Sequence, residues 1–74
     1  MSYDYSKLRG RIVEKFGTLG AFSRAMGWSE RTNGLKLNGA VEWNQSEIVK
    51  ACDLLGVEVE DMQLYFFNLV VQLD

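Results

Sequence analysis

No histidine occurs in the chain, and cysteine occurs once, at Cys52. There is therefore no imidazole base and no Cys- or His-rich set that could hold zinc. Serines and carboxylates fall where caps and charged faces are expected, with no nucleophile–base pair at a spacing that would activate a hydroxyl. The glycines stand singly and make no phosphate-cradling loop. The chain is expected not to be an enzyme, and to take no cofactor, metal or small-molecule substrate.

Charge offers the remaining chemistry, and it is divided unevenly. Residues 1–36 carry seven Lys and Arg against three Asp and Glu, a net +4, whereas residues 37–74 carry one against seven, a net −6. The overall charge of −2 argues against nonspecific nucleic-acid binding. The polarity would nevertheless orient a protein on DNA, basic half toward phosphate.

The element that must position this basic half spans residues 18–39, TLGAFSRAMGWSERTNGLKLNG. Thr18 suits an N-cap, and Leu19, Phe22, Ala25 and Met26 recur at helical spacing. Gly27 stops that helix, Trp28 packs under the corner, Ser29 caps a second helix over residues 29–37, and Asn38-Gly39 ends it. Two short helices around a glycine turn have the geometry of a helix-turn-helix, whose second helix enters the major groove. The core-facing stripe of that second helix should include position 33, which holds Asn33, followed by Gly34. Two readings stay open. Asn33 is partly exposed and bonded to local backbone, or the helix is less rigid than its pattern asks.

The other elements frame the pair. Helix 1 starts after Asp4 and runs to about Phe16, with Tyr5, Leu8, Ile12, Val13 and Phe16 as its apolar stripe. Lys7, Arg11 and Lys15 stack at i, i+4 on another face, a small cost that phosphate or solvent would relieve. Gly10 costs roughly 1 kcal/mol relative to Ala and leaves room for a neighbouring helix. Trp43 resembles a hydrophobic staple, and Asn44 with Glu47 a capping box. They open a helix with Ile48, Val49, Cys52 and Leu55 facing inward and Gly56 as its stop. A short helix follows, about Val59 to Tyr65. In the tail, Phe67, Leu69, Val71 and Leu73 alternate with Phe66, Asn68, Val70 and Gln72, which favours a strand over a continued helix. The cheapest partner for that strand is the same strand of a second copy, so a homodimer through the C-terminal tail is expected.

With 74 residues and 47% hydrophobic content, the chain suits one small globular domain. It has no apolar run long enough for a membrane span and no basic-then-apolar signal sequence, and one cysteine fits a reducing, cytoplasmic location with Cys52 in the core.

The segments YSKLRGRIVEKFGT, AFSRAMG, SERT, LKLNG, SEI and LLGVEVED, in this order, resemble a small phage repressor of the Cro/C1 type, in the XRE-like helix-turn-helix superfamily of Gram-positive phages and prophages. The resemblance covers nearly the whole chain, from Tyr3 to about Phe67. It implies an all-α, five-helix repressor-like DNA-binding domain over residues 1–66, followed by the tail of residues 67–74. It also implies a sequence-specific transcriptional regulator whose partner is double-stranded operator DNA. Carried over residue by residue, its contacts fall on Ser29, Glu30, Arg31, Gly34, Leu35 and Lys36. Ser29 would touch phosphate and Arg31 would read guanine bidentately. Glu30 would accept from cytosine or orient Arg31, and Leu35 would meet a thymine methyl. Lys36 and Asn38 would hold backbone phosphate.

Several positions depart from the pattern of the proteins it resembles. Leu19 stands where glutamine commonly clamps phosphate, Asn33 where an apolar residue is usual, and Ala40 where a basic residue follows Asn-Gly. Glu42 adds negative charge in that loop. Each change weakens the case for DNA contact. A second reading is therefore carried alongside: a protein-interaction module, an anti-repressor or modulator, on the same fold.

Overall fold

The computed structural model describes residues 3–70. Five α-helices follow in order: α1 Ser6–Phe16, α2 Leu19–Met26, α3 Glu30–Leu37, α4 Gln45–Leu55 and α5 Met62–Phe66. A 3₁₀ turn at Val59–Asp61 leads into α5, so the last helix starts later than its sequence pattern indicated. The all-α, five-helix architecture is the one expected.

Local chemistry sets the helix starts. The Asp4 carboxylate accepts from the Ser6 N–H at 2.8 Å, which holds the Asp4 carboxyl below its ordinary pKa. Thr18 Oγ1 accepts from Ala21 N at 3.1 Å, and Ser29 Oγ from Thr32 N at 3.0 Å. Asn44 and Glu47 form the reciprocal capping box: Asn44 Oδ1 accepts from Glu47 N at 2.9 Å, and Glu47 Oε1 from Asn44 N at 3.0 Å. The side-chain caps at Thr18, Ser29 and Asn44 stabilise by about 1 kcal/mol each.

The core draws on every helix. Tyr5, just before α1, and Leu8 and Ile12 within it meet Phe22 and Met26 of α2, Leu37 of α3, Ile48, Ala51, Cys52 and Leu55 of α4, and Phe66 of α5. Phe16 lies edge-on to Phe22 at 5.5 Å between ring centroids. The α2 helix packs on α1, α3 and α4, while α1 also packs on α4 and α5. Val13 and Val49, expected in the inward stripes, are exposed. Each sits one position beyond a fully inward residue, Ile12 or Ile48, and the two helices turn those neighbours out. Nothing approaches Gly10: a Cβ added there would meet no atom within 4 Å. The glycine therefore makes no close helix contact.

The helix ends at Phe66 instead of running into the tail. Tyr3 and Leu69 form an isolated antiparallel bridge, and the Asp4 N–H donates to the Asn68 carbonyl at 2.7 Å. Residues 71–74, which complete the expected strand, lie outside the described residues.

Candidate functional site

The helix pair has the compact geometry that its sequence indicates. Gly27 adopts a left-handed φ of +81° and lets α2 stop in one residue, its N–H donating to the Ser23 and Arg24 carbonyls. Ser23 is buried and donates its hydroxyl to the Gly20 carbonyl at 2.7 Å. Asn33 is only 3% exposed. Its Nδ2 donates to the Leu19 carbonyl at 3.2 Å, and its Oδ1 accepts from the Trp28 indole N–H at 2.9 Å. Neither sequence reading of Asn33 describes this arrangement. The side chain is buried and satisfied, and it ties the start of α2 to the turn and to α3.

Lys36 is the largest departure from expectation. It lies inside, 7% exposed, its ammonium donating to Glu47 Oε1 and to the Glu42 carbonyl, both at 2.6 Å. The same ammonium sits 5.7 Å from the centre of the Trp28 ring. Burial pushes the Glu47 pKa up, but hydrogen bonds from Lys36 and the Asn44 backbone, with the Lys36 charge, bring it below its ordinary value. A lysine held by a carboxylate, a carbonyl and a ring face does not reach for phosphate. Its expected role on a DNA backbone is corrected accordingly.

The same holds for other cations, Arg11 and Lys7 of the basic half and Lys50 of α4. Arg11 Nε donates to the Leu55 carbonyl at 3.0 Å, at the end of α4, and its guanidinium pairs with Glu14. Lys7 lies over the Tyr65 ring at 5.5 Å, and Lys50 donates to the Met26 carbonyl at 3.0 Å. With Lys36, four of the eight Lys and Arg residues serve intramolecular contacts. Arg9, Lys15, Arg24 and Arg31 have no side-chain partner among the described residues.

The remaining expected contact residues divide between exposed positions and structural duties. Ser29 is exposed, but its hydroxyl is occupied as the α3 cap and by Thr32 Oγ1 at 3.1 Å. Arg31 and Gly34 are exposed on α3, and Leu35 is half-buried. Glu30 is exposed and leans over α2, so close that a Cβ at Gly20 would stand 2.5 Å from its Oε1. Asn38 spends its Oδ1 on the Ala40 N–H at 2.9 Å, closing the turn after α3.

A second feature was not foreseen from the sequence. Between the N-terminal arm, the α3–α4 loop and the end of α5 lies a groove of about 320 Å³. Tyr3, Tyr5, Trp43, Phe66 and Phe67 wall it, Glu42 stands at its edge, and Gly39 and Ile48 complete it. Trp43 anchors the walls. Its ring meets Phe66 at 5.0 Å, Trp28 at 5.3 Å and Tyr5 at 6.4 Å, and its indole N–H donates to the Lys36 carbonyl at 3.1 Å. Among the described residues, no group of three or more His, Cys, Asp or Glu could hold a metal ion.

Comparison with known proteins bears on the two readings. A family described as "protein of unknown function (DUF739)" matches residues 1–69. The chain belongs to the DUF739 family. A solved structure, that of the modulator of repression (MOR) of the temperate bacteriophage TP901-1 from Lactococcus lactis, is 54% identical to it. The two superpose with a TM-score of 0.80 over 92% of each chain. No curated protein sequence matches. These findings overturn the assignment to Cro/C1-type repressors and, with it, the expectation of a regulator that reads operator DNA. The five-helix fold with its helix pair α2–α3 is the one expected. The buried Lys36 and the exposed loop carboxylate Glu42 are the physical departures from the repressor pattern.

Proposed function

We propose that this DUF739 protein is a protein-binding modulator of repression, which binds a phage repressor and alters that repressor's hold on its operator. The observation that carries this reading is the 54% identity, over 92% of both chains, to a phage modulator of repression. The geometry supports it independently. A helix-turn-helix that reads DNA needs cations aimed outward along the recognition helix and the loop after it. Here Lys36 points into the fold and Glu42 is exposed in the loop. What α3 does present, Glu30, Arg31 and the half-buried Leu35, is a mixed surface of the kind found at protein interfaces. The reading involves no catalysis. No described helix is long and apolar enough to cross a membrane, and the proposed site of action is the bacterial cytoplasm, where repressor meets operator.

Titration of the purified protein into the repressor of the genome that encodes it, followed by calorimetry, tests this directly. A saturable complex, together with changed operator occupancy in a mobility-shift assay, is the expected result. A repressor that neither binds the protein nor changes its operator occupancy refutes the reading.

A further inference from the structure

The walls of the aromatic groove are tied to one another by contacts, and the groove has an unmatched charge. Tyr3 packs on Tyr5 at 6.3 Å and edge-on against Phe67 at 5.9 Å. The Tyr3–Leu69 bridge and the Asp4–Asn68 hydrogen bond hold the two flanks together. Glu42 has its main-chain carbonyl engaged by Lys36, but its carboxylate has no cation within ion-pair distance among the described residues. Lys36, the cation bonded to that carbonyl, is already paired with Glu47. Burial, then the neighbouring Tyr3 and Glu42, raises the Tyr5 phenol above its ordinary pKa.

The aromatic lining of the groove, in which Tyr3, Trp43 and Phe67 are accessible and Tyr5 and Phe66 are buried, and one unpaired carboxylate make a receptor for a cation carried on an apolar stem. A planar guanidinium stacks on aromatic faces and meets a carboxylate in two parallel hydrogen bonds, which a compact ammonium cannot do. Tyr3, Phe67 and Leu69 are also each about two-fifths exposed (39%, 43% and 45%), so apolar residues flanking such a side chain find a surface beside the groove.

From the groove of Tyr3, Tyr5, Trp43, Phe66 and Phe67 with Glu42 at its edge, we infer a docking site for an arginine side chain of the protein partner. The inference rests on the proposed binding of a repressor. A DNA-binding protein aims arginines at phosphate and base edges, and an arginine held in this groove is withheld from DNA.

The test uses the isotope-labelled full-length protein and three blocked tripeptides with leucine on either side of arginine, lysine or citrulline. Arginine is expected to give saturable shifts of the Trp43 indole N–H and of the Gly39 and Phe67 amides. Citrulline, of the same shape without the charge, should bind roughly two- to fivefold more weakly, and lysine should fall between them, as the loss of one exposed ion pair implies. Glu42→Gln, at an exposed position, should lower arginine affinity by a similar factor and leave citrulline binding unchanged. Equal binding of arginine and citrulline, shifts confined to the outer face of α2 and α3, or an unaffected Glu42→Gln variant would each overturn the inference. Titrating the wild type and Glu42→Gln with the repressor separates the two claims. A repressor that binds both equally overturns the groove assignment and leaves the proposed function standing. A repressor that binds neither, where arginine-selective shifts are present, overturns the proposed function and supports the groove as an arginine site.

Discussion

Substituting the Lys36–Glu47 pair one partner at a time gives unequal costs if Lys36 is structural. Glu47→Gln keeps an amide oxygen that can accept from the Asn44 N–H, so the capping box survives. It nevertheless leaves the ammonium of Lys36, whose side chain is 8% exposed, without its counter-charge. Stripping the partner from a fully buried charge costs about 3–5 kcal/mol. Here the Glu42 carbonyl and the Trp28 ring remain, and the Glu47 side chain is 23% exposed, which lowers the expectation to about 2 kcal/mol. For a domain of this size that is a fall in Tm of roughly 8–16 °C. Lys36→Met removes the buried charge itself and leaves Glu47 with the Asn44 N–H and water, so its effect should stay within about 1 kcal/mol of zero. The double variant should therefore be more stable than Glu47→Gln alone. The acid limb follows from the Glu47 pKa, which is lowered in the folded protein. Its contribution is fully present above the ordinary glutamate value of about 4.3 and is lost as pH falls through the lower folded value. The stability gap between wild type and Glu47→Gln should close over that window. Thermal melts by circular dichroism at neutral pH and across the acid range measure all of this. Equal losses for the two single variants, or a double variant worse than Glu47→Gln, would refute the reasoning.

Other outcomes follow from the same geometry. Gly10→Ala should raise stability by about 0.5–1 kcal/mol, because the helix gains propensity and the added Cβ meets nothing; a lower Tm would mean that α1 is packed more tightly than described. Asn33→Ala should cost about 1–3 kcal/mol and shift the Trp28 indole resonance, since the buried amide bridges that indole to the Leu19 carbonyl. A silent variant would put the weight of the α2–α3 junction elsewhere. Cys52 is buried, and burial raises its thiol pKa, so at pH about 8 alkylation should proceed roughly a hundredfold or more slowly in native than in denatured protein, limited by opening of the core. Equal rates would place the thiol at the surface.

Much of the fold could be read from the sequence because the signals were local. Thr18, Ser29 and Asn44 cap the helices they precede, and Gly27 and Gly56 end them in left-handed conformation. The stripe of α3 was harder. Asn33, Lys36 and Leu37 all face inward, a spacing of three and four that fits one helix face. Residue type argued the other way, since asparagine and lysine are seldom buried without partners. Those partners, the Trp28 indole and the Glu47 carboxylate, lie on other elements, and no local pattern reveals them. The spacing was the usable sign, and Glu47 already marked as a capping residue was the available counter-charge. The groove brings together residues 3, 5, 43, 66 and 67, which meet only once the two ends of the chain are laid side by side. The departures at Leu19, Asn33, Ala40 and Glu42 carried the correct doubt about DNA, although the overall resemblance to repressors outweighed them.

The most direct test of the account is binding of the purified protein to operator duplex at two salt concentrations, with and without the repressor. The account requires no salt-dependent affinity of the protein alone for the duplex, and a complex with the repressor that changes operator occupancy. A protein that by itself binds the duplex, with affinity falling steeply as salt rises, and that leaves the repressor untouched would contradict it.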